Sequence, residues 1–167
     1  AWTCSTRVDS LDRDLLRLMK EAGCWSVRLG IESGNEEVLK FIRKGITREQ
    51  VRDVVGWCQE LGIHTKGFFM VGHLIDNAQT IRDSIDFALS LPLTDITVQI
   101  NTPLPNTPQY RQAAKYGTLD EKDFSRFSFF EPVYVPNGMT QEELVALHRE
   151  FYRRFYWRLS TLRLHLK

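Results

Sequence analysis

The chain has 167 residues, 43% hydrophobic and 26% charged, an ordinary composition for one soluble domain and long enough to bury a real core. Its net charge of +1 gives no electrostatic case for a polyanionic partner. No apolar run approaches the roughly 20 residues of a membrane span, and no secretory signal opens the sequence.

In chain order, the sequence reads as short β-like runs alternating with longer amphipathic helices. Trp2–Thr6 is an apolar run that begins without a methionine, which suggests a strand entered partway and a chain that is a piece of a longer protein. "LDRDLLRLMKEAG" follows as a helix with Leu11, Leu15, Leu18 and Met19 on one face and Gly23 at its stop. "CWSVRLGIE" is the second strand. After it come a short helix over Glu36–Arg43, opened by Asn35, and a longer one starting at Thr47, where Gln50 completes a capping box, and ending near Gly62.

"IHTKGFFMVG" is the third strand, followed by a helix with an apolar stripe of Ile81, Ile85, Ala88 and Leu89. "DITVQIN" is the fourth strand, leading through "TPLPNTPQY" into a helix near Tyr110–Tyr116. Residues 119–137 are less regular, and "FSFFEPVYV" suits an extended segment covering an edge, since Pro132 and Pro136 argue against a central strand. A last helix, capped by Thr140, runs its apolar face through Leu144, Leu147, Phe151, Phe155 and Leu159. Trp57 and Tyr110 read as core packing. Strands alternating with crossover helices imply parallel strands and right-handed βαβ units, as an open sheet or an arc of a β/α barrel.

Ligands of parallel β/α architectures bind at the carboxyl ends of the strands. Those ends are Thr6-Arg7, Glu32-Ser33-Gly34, Gly72-His73 and Gln99–Asn101. Glu32 stands out, because a carboxylate directly after a buried strand must be hydrogen-bonded or wet. Two neighbouring hydroxyls, as on a ribose, suit it as partners. The short helix, about 12 Å long at 1.5 Å per residue, is not needed as the crossover and can lie across the pocket mouth. Lys44 then returns toward the ligand, with Gly45 permitting the reversal, and can pair with a carboxylate of the same small molecule; the plainer reading is a solvated lysine at a helix end. His73, a lone histidine in a loop, is weak evidence for catalysis.

"WTCSTRVD", "LMKEAGCWSVRLGIESGNEEVLKFIRKGIT", "LGIHTKGFFMVG" and "NTPLPNTPQY" together resemble, in order and spacing, the radical S-adenosylmethionine (SAM) enzymes. They are most similar to the branch often fused to a cobalamin-binding domain. The resemblance spans roughly residues 1–155 and implies strands three to six of a six-stranded, TIM-like partial parallel β/α barrel plus C-terminal helices. It divides the chain into residues 1–118, the partial barrel, and 119–167, a C-terminal extension. It also implies a C-terminal part of an iron–sulfur enzyme core that binds SAM for reductive cleavage to a 5′-deoxyadenosyl radical, with cobalamin-dependent methylation or rearrangement as candidate reactions.

By that resemblance Glu32 contacts the cofactor ribose and Lys44 its methionine carboxylate. Ser33, Thr6, Arg7, Gly72 and Asn101 join them as cofactor-binding candidates. The family usually writes Gly-Leu-Pro-Gly-Glu-Thr after the third of these strands. Here the stretch is "GHLIDN", which keeps Gly72 and an acid at Asp76 but loses the proline and second glycine. Pro-Gly-Thr becomes Pro105-Asn106-Thr107, and asparagine tolerates the positive φ that such a turn needs. The family's CxxxCxxC loop, which holds a [4Fe–4S] cluster, is absent. Cys4, Cys24 and Cys58 cannot imitate it by spacing; they read as reduced, buried thiols of a cytoplasmic protein.

The resemblance thus implies cluster ligands outside this chain, a barrel half that precedes it as partner, and no activity for the piece alone. Two alternatives stand beside it. One is a small non-radical β/α ligand-binding domain, although no P-loop or GxGxxG follows any strand. The other is an interaction module on the basic C-terminus, where six basic residues against Glu150 give +5 over residues 149–167. A regular apolar stripe favours a packed helix there, with neither nucleic acid nor membrane contact expected.

Overall fold

The computed structural model describes residues 1–158. Four strands, β1 (Trp2–Arg7), β2 (Cys24–Glu32), β3 (His64–Val71) and β4 (Asp95–Ile100), form one parallel sheet in the order β1-β2-β3-β4. Helices α1 (Arg13–Glu21), α3 (Arg48–Glu60) and α4 (Ala78–Ser90) are the crossovers, and α2 (Glu36–Phe41) precedes α3 as an extra short helix. Then follow α5 (Pro108–Tyr116), an antiparallel pair β5 (Gly117–Leu119) and β6 (Tyr134–Pro136), and α6 (Gln141–Tyr156). Sequential parallel strands with helices on one side make this a partial TIM-like β/α barrel.

Local chemistry explains the helix boundaries. Thr47 and Gln50 form the reciprocal capping box of α3, Asn35 accepts from the Glu37 and Val38 amides at α2, and Asn77 with Thr80 caps α4. Asn106 sits at φ 66°, and Thr107 caps α5 with Pro108 in its first turn.

Every second strand residue points into one core. Val27, Leu29 and Ile31 of β2, Phe69 and Val71 of β3, and Ile96, Val98 and Ile100 of β4 are buried against residues of α1 to α4 and α6. From α6 these are Leu144, Leu147, Phe151 and Phe155; Leu159 lies outside the described residues. The alternate set, Arg28, Gly30, Lys66, Phe68, Met70, Asp95, Thr97 and Gln99, belongs to no core cluster and forms an open face.

Two expectations are corrected. Helix α1 turns Leu16 inward (0% exposed), leaving Leu15 and Leu18 at 40% and 53%. Leu11 and Met19 pack against the core as expected, so the face that meets β2 and α3 runs through Met19 and Leu16 and leaves Leu15 and Leu18 out. Tyr110 is only half-buried and bonds Glu121 at the surface instead of packing in the core. Two basic residues of this C-terminal stretch are engaged: Arg154 of α6 pairs with Asp86 at 2.7 Å, and Arg158, just past the helix, donates to the carbonyls of Leu89 and Leu91.

Candidate functional site

The stretch Glu32-Ser33-Gly34 splits in two directions. A register shift between Gly30 and Glu32 ends the regular pairing of β2, and Glu32 takes φ 68°, a left-handed conformation uncommon for a residue with a Cβ. Ile31 before it stays in the core. Ser33 and Gly34 after it turn onto α4, where Ser33 Oγ lies 3.1 Å from Ser84 Oγ and the Gly34 amide donates to Ser84 Oγ at 2.8 Å. Gly34 is required there, because a Cβ would lie 2.7 Å from the Ser84 Cα. The single left-handed residue sends its carboxylate to the open side.

Lys44 returns to that carboxylate through the end of α2. The amide of Lys44 donates to the Leu39 carbonyl and that of Arg43 to Lys40, with Arg43 at φ 54°. This is a Schellman stop with arginine in the position that glycine usually takes. Arg7 fixes the result from β1: its guanidinium donates to the Lys44 carbonyl at 2.7 Å while forked onto both oxygens of Asp9. Lys44 Nζ then stands 2.8 Å from Glu32 Oε1, the two side chains only 15% and 25% exposed. The pair lies over Gly30, where a Cβ would come within 3.0 Å of the ammonium and 3.1 Å of the carboxylate.

The ion pair forms one wall of a cavity of about 810 Å³ that also takes in Met70, His73, Asn101 and Gln109, with Phe41 and Leu74 as apolar lining. That volume suits a small-molecule ligand, since such sites run about 300–1,000 Å³. Asn101 is committed to protein: its Nδ2 donates to the Gly72 carbonyl at 3.1 Å, and its Oδ1 accepts from Gln109 Nε2 at 2.8 Å. Behind the wall, Asp76 holds the "GHLIDN" turn, accepting from the His73 amide at 2.9 Å and from Thr80 Oγ1 at 2.6 Å. Burial pushes the Asp76 carboxyl above its ordinary range, and burial pushes the His73 imidazole below its own.

Of the seven cofactor-binding candidates, the structure brings Glu32, Lys44 and Asn101 onto the cavity. Ser33 is buried against α4, Thr6 Oγ1 lies 2.7 Å from Ser10 Oγ, and Arg7 braces the Lys44 backbone from outside the lining. Gly72, at φ 80°, serves the wall through its carbonyl, and a Cβ there would press on Leu144 at 3.2 Å. Met70 and Gln109 are additions. Strand alternation signals Met70, which shares a face with Lys66 and Phe68, whereas no local pattern signals Gln109.

Glu32 and Lys44 supply a double acceptor and a cation, which fit the diol and carboxylate of SAM. An iron–sulfur cluster does not fit: among the described residues no three His, Cys, Asp or Glu side chains are arranged to hold a metal. The cysteines lie away from the cavity lining, and burial pushes the Cys58 thiol up to about 12, far from the thiolate a cluster needs.

Residues 2–88 match the family model of the Radical SAM superfamily. A methyltransferase of Pyrococcus horikoshii, uncharacterized by name, is 32% identical over 97% of this chain and 35% of its own length. Among solved structures, the coproporphyrinogen III oxidase HemN of Escherichia coli aligns with TM-score 0.71 at 12% identity, over 93% of this chain and 32% of HemN. TsrM of Kitasatospora setae, a radical S-adenosylmethionine methyltransferase solved with cobalamin and a [4Fe–4S] cluster, aligns with TM-score 0.64 at 21% identity, over 92% and 30%. At such identities these two likenesses speak for the fold. The chain spans about a third of the length of each of these proteins.

Proposed function

The chain belongs to the radical SAM superfamily, and from that premise we propose that its cavity is the SAM-binding wall of a larger enzyme, with Glu32 holding the ribose hydroxyls and Lys44 the methionine carboxylate. The family's chemistry with SAM and a [4Fe–4S] cluster is reductive cleavage to a 5′-deoxyadenosyl radical.

The observation that carries this reading is the 2.8 Å contact between Glu32 and Lys44 over Gly30, at the edge of a cavity of fitting size. Ligand entry on this reading is an exchange of partners. Lys44 trades the Glu32 carboxylate for the ligand's, and Glu32 trades an ammonium for two hydroxyls. Both groups are already largely out of water, so the exchange adds little desolvation cost. Arg7 and the Schellman stop keep Lys44 in place meanwhile, with Arg7 a brace in this scheme and Asn101 a spacer between β3 and α5.

Residues 1–118 would form the barrel arc on this reading, and 119–167 an extension that covers it. A preceding barrel half carrying the cluster ligands would add its strands to the free edge of β1, and residues 1–167 alone would not turn over. The relative named a methyltransferase supports methyl transfer as the whole protein's reaction, and TsrM, solved with cobalamin, supports cobalamin as a second cofactor. Three free cysteines suit a reducing, cytoplasmic setting.

Calorimetry on the full-length, cluster-loaded protein tests the site. Glu32→Ala and Lys44→Ala should each weaken SAM binding at least about tenfold, equivalent to about 1.4 kcal/mol, and each should also lower the melting temperature, since it strands one partner of a largely buried ion pair. Unchanged affinity in both variants would remove the assignment.

A further inference from the structure

Gln109, on the first turn of α5, lines the cavity beside Asn101, and its carboxamide is held in one orientation. A carbonyl only accepts, so the Asn101 atom 3.1 Å from the Gly72 carbonyl is the amide nitrogen. Asn101 therefore turns Oδ1 toward Gln109, and the atom that meets it at 2.8 Å is the Gln109 Nε2 donor. Turning either amide over would set oxygen against oxygen.

This chain of bonds leaves Gln109 with Oε1 and one N–H to spare. Oε1 has no partner among the described residues, yet it is not enclosed: the unpartnered side-chain atoms sealed from solvent there are Arg48 Nε and His73 Nε2, and Gln109 is half-buried. Other polar groups of the lining are committed. Glu32 holds Lys44, and the Thr107 hydroxyl donates to the Leu104 carbonyl and accepts from the Tyr110 amide. Gln112, further along α5, is exposed and folds its amide back onto the Pro108 carbonyl at 3.2 Å.

The site residues follow the strand ends in the order of the sheet. Lys44 is tied through its carbonyl to Arg7 of β1, Glu32 ends β2, and Asn101, which holds Gln109, follows β4. Neighbouring strands lie about 4.8 Å apart, which puts Asn101 on the order of 10 Å from Glu32, on the side away from β1. A SAM molecule with its carboxylate at Lys44 and its ribose at Glu32 extends its base that way, because the amino acid chain and the base leave opposite ends of the ribose. Adenine carries an amine beside a ring nitrogen acceptor, and a carboxamide with a free oxygen and a free N–H is the complement of that edge. We propose that Gln109 is a base-recognition residue whose Oε1 accepts a hydrogen bond from the adenine amine, an assignment that rests on the SAM reading.

The test is calorimetry on the full-length, cluster-loaded protein under non-reducing conditions, so that no turnover occurs. Three ligands are compared: SAM, its 6-deamino analogue, in which purine replaces adenine, and its 6-oxo analogue, in which hypoxanthine does. Wild type should bind SAM about fivefold more tightly than the 6-deamino analogue, as one neutral hydrogen bond is worth. It should bind the 6-oxo analogue least well, since the fixed amide then sets carbonyl against carbonyl. Gln109→Met, which keeps the length and removes the polar atoms, should bind SAM and the 6-deamino analogue equally. A preference for SAM that persists in Gln109→Met, even beside an equal loss for both ligands, overturns the proposal while Glu32 and Lys44 stand. Wild type that takes the 6-oxo analogue as well as SAM overturns it too, because the amide must then turn over. Failure of wild type to bind SAM at all overturns the SAM reading and this one together. Should Gln109→Met fold poorly, wild type decides: the order SAM, 6-deamino, 6-oxo supports the contact, and equal affinities refute it.

Discussion

The two edges of the sheet are finished in opposite ways. At β4, side chains of α6 occupy the outer backbone: the Val98 amide donates to Tyr152 Oη at 2.8 Å, the same hydroxyl donates to the Val98 carbonyl at 3.1 Å, and His148 Nε2 meets that carbonyl at 3.0 Å. Further along, the Ile100 amide donates to the Phe129 carbonyl at 2.9 Å, and the Tyr156 hydroxyl donates to Ile96 and Asp95. At β1, among the described residues, nothing is bonded to the outer backbone of Trp2–Thr6, and only the terminal Arg7 carbonyl accepts from a side chain, Ser10 Oγ at 2.8 Å; Ser5 and Arg7 are exposed. Free strand edges invite further pairing, and proteins that end a sheet block them. The contrast shows which edge of this sheet is covered and which is open, and the open edge supports our placing the proposed preceding barrel half at β1.

The closed edge breaks most severely at its packing. Phe151 is fully buried, its ring centroid 5.1 Å from that of Phe69, so Phe151→Ala should cost about 3–5 kcal/mol in urea unfolding. A loss below about 1 kcal/mol would mean that α6 does not anchor this edge. Tyr152→Phe should cost about 1–3 kcal/mol by stranding the Val98 amide. Hydrogen exchange at Val98 should then accelerate toward the rate of outward β1 amides, and an unchanged rate would dissolve the contrast.

The smallest effect is a pH dependence. Burial raises the Asp95 carboxyl, but hydrogen bonds from Lys66 and Tyr156 outweigh it and hold the group below its ordinary range. A depressed folded pKa adds stability above the unfolded value, about 3.9, and that stability is lost as pH falls through the folded value. With the Asp95 side chain 38% exposed, solvent screening keeps the effect under about 1 kcal/mol. Wild type should lose slightly more stability than Asp95→Asn between about pH 5 and pH 3, and parallel curves would count against the ion pair's part in closing this edge.

Much of the fold was legible because the signals are local. Capping at Thr47, Asn35 and Thr140, the parallel direction of the strands, and the Asn106 turn all follow from short patterns, whereas the strand rhythm alone left an open sheet and a barrel arc both standing. The spacing of Glu32 and Lys44 pointed to one shared pocket, yet opposite ends of a ligand were expected and the two groups touch. Ser33, Thr6 and Arg7 could not be sorted from the site, because one left-handed residue, Glu32, decides which neighbours face the cavity and which face α4. On α1, Leu11 and Met19 pack as expected but Leu16 was missed, because leucines at 15, 16 and 18 offer two stripes and only the approach of β2 and α3 selects Leu16. The blocked β4 edge was hidden as well, since His148, Tyr152 and Tyr156 serve through polar atoms that an apolar-stripe reading ignores.

The most direct measurement is calorimetry of two ligands on the full-length protein: SAM and 5′-methylthioadenosine, which keeps the nucleoside and lacks the amino acid carboxylate. The account predicts that Lys44→Ala weakens SAM binding at least about tenfold and leaves 5′-methylthioadenosine untouched, while Glu32→Ala weakens both. Equal losses for both ligands in Lys44→Ala, or no loss in either variant, would contradict it.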